Sequence, residues 1–161
     1  MKAISVRQPW PYCMTDLPID RKQTENRSWP LPEYIIGERV ALHASTQFDT
    51  MDGRRAASDL AGFKLSTQKD NMPLGAIVAT IVFTGYVHCL PNGQYRFVGN
   101  VGQNYNPATD KWLFGPYGWR LTQMCKLAKP ILCTGALRFW NVPDPVYQQI
   151  KQQQPALFTA V

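Results

Sequence analysis

A chain of 161 residues is one domain's worth, long enough to bury a core of its own. Apolar residues make up 45% of it, charged residues only 17%, and prolines number 13; that balance favours short strands and structured loops over long helices. No apolar run has the length of a secretory signal or of a membrane span of roughly 18 residues, so a soluble, cytoplasmic protein is expected, and the net charge of +6 reads either as attraction to phosphate-bearing partners or as ordinary solubility charge.

Ala3 to Val6 reads as a first strand, and Pro9 opens a short helix that fades by Pro18. Thr24 to Trp29 reads as extended. Alternation then puts Glu25, Arg27 and Trp29 on one face and Thr24, Asn26 and Ser28 on the other, with Lys22 just ahead of the strand. Pro30 and Pro32 stop it. Arg39 to Ser45 is a strand with Val40, Leu42 and Ala44 on one face and Ala41 and His43 on the other. His43 there is either a hydrogen-bonded core or rim residue or part of a pocket.

Asp49 to Phe63 reads as a helix capped by Asp49 or Thr50, with Met51, Ala56, Leu60 and Phe63 at near-helical spacing. Arg54, Arg55 and Lys64 lie on or beside it, as a solvated face or a strip for phosphate contacts. Leu65 to Pro73 is a polar loop, and Ala76 to Cys89 is the longest strand, continuously apolar at its start, up to Thr80, as a buried central strand is. Pro91-Asn92-Gly93 makes a turn, and Gly99 to Asp110, rich in Gly and Asn, reads as a mobile loop or lid. Trp112 to Phe114 and Trp119 to Met124 read as strands joined across Gly-Pro-Tyr-Gly. Ile131 to Cys133 and Ala136 to Trp140 follow as strands, and Pro143 starts a closing helix of about ten residues. These elements add up to a single α+β domain, a small barrel with flanking helices.

The cysteines at 13, 89, 125 and 133 form no C-x-x-C, and only His43 and His88 stand ready to join them, so reduced thiols are expected, with no metal and no cofactor. The chain has no G-x-S-x-G, no H-E-x-x-H and no P-loop. The chemistry left is the set of Lys22, Glu25 and Arg27, a carboxylate between two cations. Such a set binds phosphate, or polarises a carbonyl and positions water. Trp10, Trp29, Tyr117 and Trp119 flank motif turns, where they stack on a flat base or pack the barrel.

The run from Asp20 to Trp29 resembles the signature of the ASCH family, G-x-K-x-x-E-x-R. Lys22, Glu25 and Arg27 match it, and Asp20 stands in place of the glycine. Ile4-Ser5-Val6-Arg7-Gln8-Pro9-Trp10, Gly37 to Ser45, Gly75 to Ala79 and Gly115-Pro116-Tyr117-Gly118-Trp119 match in the same order, so the likeness spans roughly residues 2 to 143. The resemblance implies a PUA-like β-barrel over residues 1 to 161. It also implies one of three functions: an amidohydrolase acting on N4-acylated cytidine or a similar pyrimidine nucleoside, a non-catalytic RNA-binding domain, or a ribonuclease.

In amidohydrolases of this kind a Lys, a Thr and a Glu carry the reaction. Lys22 matches the Lys, Glu25 stands where the Thr is expected, and the second Glu has no assignable counterpart. The expected catalytic set is therefore Lys22 and Glu25 with Tyr117 as a further proton donor. Arg27, Trp29, Trp10, Trp119 and His43 are expected to hold the substrate. The expected partner is a nucleoside-like molecule or RNA, bound by a chain compatible with a monomer.

Overall fold

The computed structural model describes residues 1–159. β1 (Lys2–Gln8) leads into α1 (Trp10–Thr15), where Pro11 falls in the first turn and its missing N–H leaves nothing unpaired. β2 (Thr24–Arg27) and β3 (Arg39–Phe48) follow, then α2 (Met51–Ala61). Thr50 caps α2 by accepting from the Gly53 N–H at 3.1 Å. Next come β4 (Ala76–Cys89), β5 (Tyr95–Gly99), β6 (Tyr117–Leu132), β7 (Phe139–Asn141) and α3 (Asp144–Gln153). No described helix is long and apolar enough to cross a membrane.

The seven strands form one sheet in the order β2-β6-β4-β3-β1-β7, with β5 added on β4. All pairs are antiparallel except β1 with β3. β4 organises the sheet. It pairs with β6 along one edge, and its other edge is shared, Ala76–Val82 with β3 and Gly85–Cys89 with β5. That is why its first half is buried on both faces and reads as an apolar run broken only by Thr80. Three register shifts between β4 and β6 bend the pair, and the sheet curls into a half-barrel. Contacts between its two ends cross the open side: the Arg27 Nη2 on β2 donates to the Ser5 carbonyl on β1 at 3.2 Å, and Trp29 meets Phe139 of β7 edge-on at 6.2 Å.

The concave face holds the main core, with Ile4, Val6, Leu42, Ile81, Phe83, Trp119 and Leu121 all buried. Each such aliphatic or aromatic side chain contributes about 1.5–3 kcal/mol by leaving water. Alternation sends the neighbours Ala3, Ala41 and Ile77 to the outer face, where α3 covers them with Val146 and Ile150. A third cluster joins α1 and α2 to a turn of 3-10 helix (Leu65–Asn71) through Cys13, Leu17, Ala57, Leu65, Met72 and Trp112. It fixes α2 beside α1, next to the start of β2.

Four sequence expectations are corrected. Trp112 to Phe114 is not a strand: Asp110 Oδ1 accepts from the Trp112 N–H at 3.0 Å and turns the chain, dropping the indole into the third cluster. β6 is one strand of 16 residues where two were expected, because its polar middle hides the alternation. β5 was not expected at all, since its residues are mostly exposed and lack an apolar face. The segment expected as a lid, Gly99 to Asp110, is held against β2 and β6. Thr24 Oγ1 and Tyr105 Oη both donate to Asp110 Oδ2, at 2.6 and 2.8 Å, and the Arg120 guanidinium lies 3.8 Å from the centre of the Tyr105 ring. Burial and the bond to Asp110 push the Tyr105 phenol up.

Candidate functional site

β2 is four residues long and pairs with β6 so that Glu25 faces Trp119 and Arg27 faces Tyr117. Directly opposed residues project from the same side of a sheet, so Glu25, Arg27, Trp119 and Tyr117 share one face. Thr24 opposes Arg120 on the other face. The short strand leaves room for Lys22 to fold back from the preceding coil. Its ammonium donates to the Thr24 carbonyl and to Glu25 Oε2, the latter at 3.0 Å.

Burial decides what this pair is. Lys22 is 1% exposed and Glu25 6%, so the solvated ion pair worth less than about 1 kcal/mol does not describe them. A buried pair is different in kind. Removing one partner leaves an uncompensated charge and costs about 3–5 kcal/mol. Arg27 adds a second cation, its Nε 3.2 Å from Glu25 Oε1. That buried Nε is not aligned as a hydrogen-bond donor, so its effect on the carboxylate is mainly electrostatic. The Arg27 guanidinium lies 5.7 Å from the centre of the Trp119 ring.

Lys22 and Glu25 border a cavity of about 440 Å³. Trp10 and Phe114 form one wall, with ring centres 5.5 Å apart, and the Lys22 ammonium lies 5.6 Å from the Trp10 ring. Asn26 places Phe114 there: its Oδ1 accepts from the Phe114 and Gly115 N–H groups at 2.9 Å, and its Nδ2 donates to the Trp112 carbonyl at 2.7 Å. The far wall is the start of α2, with Asp49, Asp52 and Gly53. Asp49 Oδ2 accepts from the Trp10 indole N–H at 2.8 Å. Position 53 is glycine for a visible reason, since a Cβ there would lie 2.2 Å from Asp49 Oδ2.

Asp49 and Asp52 were not singled out in the sequence as site residues. The only local signal was Asp49-Thr50-Met51-Asp52 at a helix start, which reads as capping. Their place beside Glu25 comes from the docking of α2 on α1. With them the cavity carries three carboxylates against one ammonium, so it favours neutral or cationic groups over anions. Among the described residues, no three His, Cys, Asp or Glu side chains converge as metal ligands do.

The other expected site residues lie elsewhere. Trp119 is fully buried, stacked on Phe139 at 5.6 Å and bonded through its indole N–H to the Trp29 carbonyl at 3.2 Å, so it packs the core and offers no free face to a base. Trp29 lies beyond the end of β2, half-buried edge-on against Trp119 at 4.7 Å. Tyr117 stacks on His88 at 4.2 Å and does not line the cavity. His43 is buried on β3 and belongs to a different cavity, beside Ser5. Its Nε2–H donates to the Cys133 carbonyl at 2.8 Å, and its Nδ1 lies 3.0 Å from Ser5 Oγ. Burial holds its pKa below the usual range. One cavity thus gathers Trp10, Lys22 and Glu25, with Arg27 behind the carboxylate.

No protein-family model matches this chain, and no curated protein matches it.

Proposed function

We propose that the chain is a PUA-like barrel of the ASCH type whose cavity removes the acyl group from N4-acylated cytidine or a similar modified pyrimidine nucleoside. The observation that carries this reading is the buried Lys22–Glu25 pair opening onto a cavity walled by Trp10 and Phe114. Its volume of about 440 Å³ suits a small ligand, and its excess of carboxylates suits a neutral nucleoside.

The pyrimidine ring lies along Trp10 and Phe114, with the acyl group toward Lys22. Glu25 takes a proton from a water whose oxygen attacks the acyl carbon. The carbonyl oxygen gains negative charge and is held by the Lys22 ammonium. The bond from carbon to N4 then breaks, and N4 takes the proton that Glu25 had accepted. The products are a carboxylic acid and cytidine. Each carboxylate oxygen has lone pairs beyond the one facing its cation, so Glu25 still accepts from water. Arg27 orients Glu25, and Asp49 fixes the tilt of Trp10 through its indole N–H. Tyr117 takes no part in this scheme.

All four cysteines are free thiols, and burial pushes that of Cys13 up to about 12. Free thiols support a cytoplasmic site of action. The ribonuclease reading gains no support from the histidines, since His43 is enclosed and His88 is stacked on Tyr117.

The test is to incubate the purified protein with N4-acetylcytidine and follow cytidine release by ultraviolet absorbance. Release that needs the protein is expected. No release at any pH between 6 and 9, from protein shown by its melting curve to be folded, removes the hydrolase reading and leaves the binding one.

A further inference from the structure

α2 separates two cavities of opposite charge. Asp49, Asp52, Gly53 and Ala56, spaced three and four apart, turn toward Glu25. Met51, Arg54, Arg55 and Ser58 turn to the other side and line a second cavity, of about 450 Å³. Lys64 and Lys69, just before and within the 3-10 helix that follows α2, complete its rim, and Pro9, Phe48 and Leu65 add apolar surface. Among the described residues, Asp59 is the one carboxylate lining it, against four cations.

Two observations mark this cavity as unfinished. Among the described residues, none of the four cations makes an ion pair. The Arg54 Nε is buried with no acceptor, and its Nη2 rests against Met51 Sδ at 3.1 Å. A buried guanidinium N–H without a partner is costly, and most such groups are satisfied. Like charges around one hollow also repel. An oxyanion with several acceptor oxygens relieves both at once, because arginine N–H groups meet phosphate oxygens in pairs.

We propose that this second cavity is a phosphate-binding site, taking the phosphate of a nucleotide or of a nucleic-acid strand. The phosphate oxygens accept from Arg54 and Arg55, Lys64 and Lys69 neutralise the remaining charge, and the apolar part of the ligand rests on Phe48 and Leu65. The site stands apart from the Lys22–Glu25 cavity and does not depend on hydrolysis there.

The test is calorimetric titration at low salt with three probes: cytidine, cytidine monophosphate and a short oligocytidylate. Binding of a phosphorylated probe, with cytidine at least about tenfold weaker, is expected. Added salt should weaken that binding, with a slope of about one per phosphate engaged. The double variant Arg54→Gln with Arg55→Gln should lower affinity by about tenfold or more. Lys64→Gln with Lys69→Gln, both at exposed positions, gives the same reading if the arginine variant misfolds. Monophosphate as tight as the strand assigns a free nucleotide; a strand that binds where the monophosphate does not assigns nucleic acid. Cytidine binding that the arginine variant weakens as much as it weakens the phosphorylated probes, no binding of either phosphorylated probe, or binding untouched in a folded variant overturns the proposal.

Discussion

Burying an ammonium is costly unless an anion stands beside it, and Lys22 has Glu25 at 3.0 Å. Lys22→Met should therefore lower stability by about 3 kcal/mol, the low end for a broken buried pair because Arg27 still faces the carboxylate. A denaturant melt measures it, and a loss below about 1 kcal/mol would make the pair an ordinary surface contact. Gly53→Ala works differently. Alanine favours a helix over glycine by about 1 kcal/mol, and the atom its Cβ meets is the end of a rotatable side chain, Asp49 Oδ2. Asp49 should swing away and release the Trp10 indole. The expected result is a near-normal melting temperature, altered tryptophan fluorescence and a raised KM. Unchanged fluorescence would show that Asp49 does not hold Trp10. The sequence made the Lys22, Glu25 and Arg27 set legible because a strand's alternation is local. It hid Asp49 and Asp52 because only the packing of α2 against α1 through Cys13, Leu17 and Ala57 brings them across.

The strands legible in advance were those with a buried face. β3 sends Val40, Leu42 and Ala44 inward, and β4 is buried on both faces over Ala76–Phe83. β5 and the middle of β6 project into solvent, so no apolar period marks them, and only pairing to a neighbour defines them. β2 shows the value of register. A slip of one residue would exchange Glu25 for Thr24 at the cavity. In the observed register Thr24 is buried on the other face, donating to Asp110 and accepting from Arg120 Nη1, each at 2.6 Å. Thr24→Val keeps the shape and loses both bonds, each of them to a charged group. A stability loss of about 1–3 kcal/mol is expected, seen as a lower melting temperature with hydrolysis unchanged. A variant of full stability would mean that the 99–110 segment is held by other contacts.

At the scale of the whole molecule, the half-barrel is joined across its open side by Arg27 on Ser5 and by the cluster of Trp29, Trp119 and Phe139. His43 lies beside that seam, bonded to Cys133 and next to Ser5. Its folded pKa is lowered by burial from an ordinary 6.5. Below pH 6.5 the unfolded chain therefore takes a proton that the folded chain refuses. The stability this group contributes is full above 6.5 and is lost as pH falls toward the folded value. Melting curves of wild type and His43→Gln should converge as the pH drops from 7 to 5, because only wild type has that histidine to protonate. Curves that stay parallel would show that His43 titrates alike in both states.

The claim on which the rest depends is that Glu25, not Thr24, does the chemistry. The direct measurement is kcat/KM on N4-acetylcytidine for wild type, Glu25→Gln and Thr24→Val, well below each protein's melting temperature. Glu25→Gln removes the base and should lower kcat/KM by about 10²–10⁴, while Thr24→Val should stay within a few-fold of wild type. An inactive, folded Thr24→Val beside an active Glu25→Gln would contradict the account.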